Sequence, residues 1–204
     1  MNVGGALLPK IVDHEETRQY IIEKAMDVFS ERGYYDTTLA HIADECGMGR
    51  TTLYHYFENK DDIFTQVMLK VIGDIERECR IVVEQSELSV IDKIKTIFSR
   101  ISNQCHIKRN KTGVLLDLFL LLKLRKKDMN DDIDESFSRL KGVFLELLQE
   151  GVTSKEIKTV ETESMASTLY NLLEASIFKA SPQKGENPQG HINNLHILLD
   201  GLKV

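Results

Sequence analysis

The chain has 204 residues, of which 42% are hydrophobic and 28% charged, and its formal net charge is −6. It contains no run of about 18 apolar residues, which excludes a membrane-spanning helix. The net negative charge excludes a general polyanion binder. Three widely separated cysteines form neither a disulfide framework nor a metal-ligand spacing. The segment from Met1 to Pro9 lacks the basic flank of a secretory signal, so we expect a cytoplasmic protein.

The first predicted elements are three helices in close succession. The first is expected to stop at Gly33, and Thr38 is the expected N-cap of the second. Apolar residues of the second helix follow the i, i+3, i+4, i+7 spacing of a buried face. The segment Gly47-Met48-Gly49 connects it to a third helix, which buries Leu53 and Phe57. So short a connection is typical of a helix-turn-helix.

The third helix has an outward face rich in hydrogen-bond donors. It carries Arg50, Thr51, Tyr54 and His55, and Lys60 follows one turn later. Such a face suits a DNA groove and its phosphates. A helical hairpin whose tyrosines only pack on their neighbours is the alternative interpretation. That alternative does not explain why the donors concentrate beside so short a turn.

These residues resemble the TetR family of ligand-responsive transcriptional repressors. The resemblance covers roughly residues 15 to 65. One departure is Gly49, which stands where the family usually has Ser as the cap of the recognition helix. Glycine remains an acceptable N-cap, a few tenths of a kcal/mol worse than serine, but it cannot contact a phosphate through a hydroxyl. The matching residues are Arg18, Ile21, Ile22, Ala25, Phe29, Gly33, Tyr34, Thr37, Thr38, Ile42, Ala43, Gly47, Thr52, Leu53, Tyr54, His55, Tyr56, Phe57 and Lys60.

The resemblance implies a homodimer that binds double-stranded operator DNA and is released by a small-molecule ligand of unknown identity. Arg50 and Thr51 are expected to contact bases, and His55 either bases or phosphates. Phosphate contacts are expected from Thr38, Tyr54, Tyr56 and Lys60. Residues 1–60 hold six Lys or Arg against ten Asp or Glu, so we expect a shallow salt dependence of DNA binding. The predicted DNA-binding residues are Thr38, Arg50, Thr51, Thr52, Tyr54, His55, Tyr56 and Lys60.

The remainder of the chain predicts six more helices and no strand. Asn59 is the expected cap of the fourth helix, with Asp62 completing a capping box. We therefore expect an all-α protein of about nine helices. A DNA-binding domain with an N-terminal arm would occupy residues 1–62, and a larger ligand-binding and dimerisation domain residues 63–204. The expected helix bounds are about Glu15–Arg32 for the first and, for the last six, Asn59–Val83, Val90–Cys105, Thr112–Lys127, Asn130–Gly151, Val160–Ala180 and Gln189–Leu202.

Two acidic residues, Asp117 and Glu174, bear on the charge of the expected ligand. Asp117 lies on the apolar side of the most apolar helix, and Glu174 lies between Tyr170 and Phe178, so each needs a partner. If either points into an apolar cavity, we expect a cationic ligand. If both pair within the fold, we expect a neutral or anionic apolar ligand, with the basic loop 108–111 as the candidate entrance. The predicted ligand-binding residues are Asp117, Leu120, Leu121, Tyr170, Leu173, Glu174 and Phe178.

Two apolar stripes near the C-terminus predict the dimer interface. Two such helices from each subunit would form a four-helix contact. The stripes consist of Ala166, Leu169, Leu173 and Ile177 on one helix and Ile192, Leu195, Leu199 and Leu202 on the next.

The sequence thus predicts a DNA-binding regulator, most simply a repressor, without cofactor, metal site or catalytic group. A helical protein-interaction module that does not bind DNA is the first alternative, and retention on DNA separates the two. An all-α hydrolase is the second. No nucleophile, base and orienting group stand at plausible spacing, and a screen with generic substrates tests it.

Overall fold

The computed structural model describes residues 14–106, 131–179 and 188–204, without the side chains of 104–106, 177–179 and 188. Within these ranges the protein is all-α, as predicted, with eight helices and one isolated backbone bridge between Ile157 and Lys203. The predicted helix at 112–127 lies outside the described residues. The helices are α1 (His14–Asp36), α2 (Leu39–Glu45), α3 (Arg50–Tyr54), α4 (Lys60–Val83), α5 (Val90–His106), α6 (Asp131–Thr153), α7 (Thr162–Lys179) and α8 (Pro188–Asp200).

Two glycines shape the N-terminal helices. The backbone leaves the helical region at Gly33 (φ 76°, ψ 170°), as the sequence predicted, and one more turn follows before α1 ends. Gly47 has φ 66° in the connection between α2 and α3. Positive φ favours glycine, because a Cβ atom clashes with the backbone there. Alanine at either position would strain the helix-turn-helix.

The fourth helix begins at the predicted cap. The Asn59 side chain accepts a hydrogen bond from the backbone N–H of Asp62 at 2.9 Å. The capping-box prediction was wrong in one detail. The Asp62 carboxylate accepts from the N–H of Glu58 at 3.2 Å, one residue before the cap. From this start α4 packs on α1 and then on α5 and α6, so it joins the two halves of the core.

The larger half is built from antiparallel neighbours. The Lys93 ammonium, near the start of α5, lies 3.3 Å from the carboxylate of Glu150, near the end of α6. The rings of Phe98 and Phe144 are 5.8 Å apart between the same helices. On another side of α5, Lys95 binds Asp200 of α8 at 2.6 Å. Helix α7 packs on α5, α6 and α8, so α5–α8 form a four-helix bundle.

Gly151 does not end α6, contrary to the prediction, since the helix continues to Thr153. It lies in the interior at a close approach of two other segments. A Cβ atom built there would lie 3.0 Å from a Val90 methyl carbon and 3.1 Å from the Ile157 side chain. The residue is therefore small because of packing, which a single sequence does not reveal.

The predicted dimer stripes are wrong as surfaces. Within one protomer, Leu195 is 7% exposed and Leu199 2%, and Leu169 and Leu173 are also buried. Leu202 is half-buried, and the side chain of Ile177 lies outside the described residues. They pack inside the bundle, because α8 lies against α5 and α7. The exposed apolar residues of these helices are different ones: Ile197 and Leu198 on α8 and Leu172 on α7.

Candidate nucleic-acid interface

Helix α3 has one face in the core and one in solvent. Leu53 is 1% exposed and Phe57, just beyond the helix, 2%. Gly49 is the N-cap, as predicted, with extended backbone (φ −72°, ψ 149°) and no side-chain cap bond. Because Leu53 and Phe57 are anchored in the core, the other side chains of this short helix face solvent. The exposed side chains are Arg50, Thr51, Thr52, Tyr54 and His55, which are the predicted contacts of the recognition helix.

A cation from α1 holds the far end of α3. The Arg18 guanidinium donates to the Tyr56 carbonyl at 2.9 Å and lies 4.4 Å from the centre of the Phe57 ring. The rings of His14 and Tyr56 are 4.5 Å apart. Tyr56, a predicted phosphate contact, is therefore half-buried, with its ring against that of His14. Sequence reasoning found Arg18 only as a family match, because its partner lies far along the chain.

Thr38 caps α2, as predicted, and its hydroxyl oxygen acts as a hydrogen-bond acceptor in the cap. The hydroxyl oxygen accepts from the N–H of His41 at 3.3 Å, and His41 Nδ1 accepts from the N–H of Thr38 at 3.3 Å. The hydroxyl hydrogen remains available to a phosphate oxygen. Sequence reasoning missed His41, because the usual capping-box signal has Glu or Gln at that position.

Lys60 has a structural task beside its predicted role. Its ammonium donates to the carbonyls of Tyr34 at 2.8 Å and Thr37 at 2.9 Å, and it lies 4.4 Å from the centre of the Tyr34 ring. The Tyr34 hydroxyl in turn donates to Asp61. Two of the three ammonium donors are thus used within the fold. One donor remains for a phosphate, so phosphate contact by Lys60 stays a prediction.

An open groove of about 560 Å³ runs beside the end of α3. Three carboxylates line it, those of Glu58, Asp61 and Asp62, together with the Arg18 guanidinium. A surface with this excess of acid repels phosphates. The predicted contacts Tyr54, His55 and Tyr56 line the same groove, whereas Arg50 and Thr51 are not among its lining residues.

Part of the predicted ligand site is visible on α7. Tyr170 and Leu173 are buried, and Glu174 is half-buried. The Tyr170 hydroxyl donates to the Glu174 carboxylate at 2.6 Å. Burial, and then this hydrogen bond, raise the pKa of Tyr170 above its usual range. Asp117, Leu120, Leu121 and the side chain of Phe178 lie outside the described residues, as does the basic loop 108–111.

The two described cysteines are poor nucleophiles. Cys46 and Cys79 are buried free thiols, and burial is the main cause that raises their pKa values to about 11 and about 12. Since the thiolate is the reactive form, both are almost entirely unreactive at neutral pH. We expect iodoacetamide at pH 8 to leave both unlabelled in the native protein and to label both in urea, as measured by peptide mass spectrometry. Labelling of Cys46 in the native state would contradict this.

A sequence model described as bacterial regulatory proteins of the tetR family matches residues 21–67. That segment contains α2 and α3. Residues 21–67 thus form the N-terminal domain typical of the TetR family. The HTH-type transcriptional regulator HbdR of Aromatoleum sp. (strain CIB) is 43% identical over 70 residues, 34% of this chain and 30% of that protein. The chain thus aligns with about a third of this curated relative.

Two further similarities extend beyond the helix-turn-helix. The fatty acid metabolism regulator protein of Bacillus subtilis (strain 168) is 28% identical over 141 residues, 68% of this chain and 69% of that protein. The crystal structure of the transcriptional regulator FadR from Bacillus subtilis, in complex with stearoyl-CoA, superposes with a TM-score of 0.74 at 20% identity. It covers 89% of this chain and 96% of that one. This likeness shows that the described part of the chain has the same overall fold as that regulator.

None of the described helices is long and apolar enough to cross a bilayer. The described residues also contain no group of three or more His, Cys, Asp or Glu that could hold a metal ion.

Proposed function

We propose that this chain is a homodimeric TetR-family repressor that binds operator DNA and is released by a small-molecule ligand. The observation that carries the proposal is α3, whose donor side chains face solvent while Leu53 and Phe57 anchor it in the core. Thr38 offers a hydroxyl hydrogen at the start of α2. A protein that acts on chromosomal DNA works in the cytoplasm. The N-terminal unit would comprise residues 1–62 and the ligand-binding unit 63–204.

The coupling between the two units would run through α4. This helix starts at the Asn59 cap, beside the end of α3, and packs against α6 along its later turns. Two ion pairs connect α4 to α6: Arg80 forms a bidentate pair with Glu146, and Arg139 lies 3.4 Å from Glu76. A ligand that moves α6 would therefore move α4 and change the spacing of the two recognition helices. The ligand changes this spacing only if it binds the protein more tightly in the conformation with one spacing than in the conformation with the other.

The proposed ligand is an acyl compound. The relative that aligns over two thirds of this chain is named a fatty acid metabolism regulator, and a protein of the same fold binds stearoyl-CoA. The pairing of Glu174 with Tyr170 supports a neutral or anionic ligand over a cationic one, because a ligand amine would have to compete for that carboxylate. Apolar side chains of the α5–α8 bundle suit an alkyl chain.

Arg50→Ala tests the DNA interface. An operator is first selected from random DNA with the parent protein. We expect the variant to lose about 1–3 kcal/mol of specific binding and to relax its preference at one position per half-site, as when one base contact is lost. Fluorescence anisotropy with single-base operator variants measures both effects. Arg77→Ala is the matched control, because Arg77 is exposed on α4 and pairs with Asp74.

Lys60→Met separates a phosphate contact from a base contact. It should weaken binding to every sequence about equally and lower the slope of affinity against salt. It should also destabilise the domain, because the Tyr34 and Thr37 carbonyls lose their donor. If Arg50→Ala and Lys60→Met both bind the selected operator like the parent, this face does not contact DNA.

A further inference from the structure

One buried hydroxyl in the bundle has no partner. Ser102, on α5, is 3% exposed. Among the described residues, its Oγ is the one buried side-chain oxygen or nitrogen without a hydrogen bond. Such groups are rare in folded proteins, because an unpaired polar atom loses its bonds to water and gains nothing. The other buried serine, Ser136, donates to the Asp132 carbonyl at 2.9 Å.

The position of Ser102 on α5 directs it to the middle of the bundle. At about 100° per residue, it lies about 40° from Phe98 and about 60° from Ser99. Phe98 contacts Phe144 of α6, and the Ser99 hydroxyl lies 3.1 Å from the ring of His196 on α8. Ser102 therefore points between α6 and α8. Helix α7 packs on both of these helices and on α5, so it closes that sector.

Along the axis of the bundle, Ser102 is nearly level with the Tyr170–Glu174 pair. Since α5 and α6 are antiparallel and Phe98 faces Phe144, a residue one turn beyond Phe98 is level with Leu140. Phe137, less than one turn from Leu140, has its ring 6.1 Å from that of Tyr170. The unpartnered hydroxyl and the Tyr170–Glu174 pair thus lie within about one turn of each other along the bundle.

The surroundings of Ser102 favour an uncharged hydrogen-bond acceptor as its partner. A single buried hydroxyl cannot compensate the desolvation of a carboxylate. The half-buried Glu174 would add repulsion between like charges. A neutral carbonyl oxygen, in contrast, needs one donor, and the buried apolar side chains of the bundle, such as Phe98, Phe144 and Leu173, suit an attached alkyl chain.

We infer that Ser102 is the polar anchor of the effector site and donates its hydroxyl hydrogen to the carbonyl oxygen of an acyl ester or thioester. The inference rests on the acyl ligand proposed above and adds the group that is recognised. It assigns a preference for the thioester over the free acid. It also makes the carbonyl, and not chain length alone, part of what the protein detects.

The test compares three probes that share an 18-carbon chain: stearoyl-CoA, its thioether analogue S-octadecyl-CoA, and stearate. Calorimetric titration of the full-length protein, below the micelle concentration of each probe, gives the affinities. The parent should bind the thioester about fivefold more tightly than the thioether, as one neutral hydrogen bond predicts. Ser102→Ala should abolish this ratio by weakening the thioester alone, while Ser136→Ala should retain it.

The unliganded protein gives a second readout. Because Ser102→Ala removes a buried hydroxyl without a partner, its melting temperature should equal or exceed that of the parent. A lower melting temperature would mean that the hydroxyl is already bonded within the fold, which overturns the inference.

The other outcomes are distinguishable. If the thioester binds and releases DNA but Ser102→Ala keeps the thioester-to-thioether ratio, Ser102 is not the anchor and the proposed function stands. If stearate binds the parent as tightly as the thioester, the assignment of a neutral carbonyl is wrong. If no probe binds the parent, the acyl class itself is wrong, and the Ser102 inference fails with it.

Discussion

Replacing Ile197 and Leu198 together by aspartate is expected to convert the protein into folded monomers. Each side chain is 68% exposed on α8, and Leu172 on the adjoining α7 is 37% exposed. Contiguous exposed leucine and isoleucine mark a contact surface. In a two-fold interface the same patch meets itself, so the double substitution places four carboxylates in one apolar contact. Repulsion and desolvation should then prevent association.

The loss of operator affinity should be large. A dimer binds two half-sites at once, and the second contact benefits from a high effective concentration that a monomer lacks. We expect affinity to fall by about a hundredfold or more, with the helical circular-dichroism spectrum unchanged. Sedimentation velocity measures the mass, and anisotropy with the selected operator measures binding.

Ile81→Asp is the matched control for this surface. Ile81 is 44% exposed on α4, so the substitution places one carboxylate per protomer at an exposed apolar site on a different helix. It should leave the dimer intact. A stable dimer in the Ile197 and Leu198 double variant would show that the interface lies elsewhere on the protein.

Aspartate at Leu195 and Leu199, on the opposite side of the same helix, is expected to unfold the larger half of the protein. Both side chains are buried, at 7% and 2% exposure, and α8 packs there on α5 and α7. Each substitution removes a leucine from the core and leaves a charge without a partner. Together they should cost well over about 4 kcal/mol, which exceeds the usual effect of single substitutions.

Thermal unfolding followed by circular dichroism measures this cost. Asn193→Asp with Asn194→Asp is the control, because both residues are exposed on α8 and the added charges meet water. The control should melt near the parent temperature. If the Leu195 and Leu199 variant remains folded and becomes a monomer, the interface assignment returns to the originally predicted stripe.

The helix-turn-helix was predictable because its determinants are close in sequence. The spacing of Leu53 and Phe57 and the cap at Thr38 are local features, and the structure confirms both. The predicted stop at Gly33 is a break in the helical backbone, after which α1 continues to Asp36. The exposure of Arg50 and its neighbours follows from the same periodicity. Other helix bounds were also close, since α5 starts at the predicted Val90 and α4 starts directly after the predicted Asn59 cap.

The contacts of Arg18 and Lys60 were beyond sequence reasoning for a physical reason. A cation can meet a phosphate, a carboxylate, a ring or a carbonyl, and the residue type does not say which. Arg18 holds the Tyr56 carbonyl, 38 positions away, and Lys60 holds the Tyr34 carbonyl, 26 positions away. Backbone carbonyls carry no signature in a sequence, so only the folded chain reveals these partners.

By itself, the sequence determined that the chain is all-helical, where most described helices begin and end, and which residues of α3 face outward. These properties depend on local backbone preference and on the period of apolar residues. It did not determine which apolar face of α8 is covered by its own chain. That helix has apolar residues on two sides, with Leu195 and Leu199 on one and Ile197 and Leu198 on the other. Periodicity shows that both exist, but burial depends on where α5 and α7 lie, and only the tertiary structure decides that.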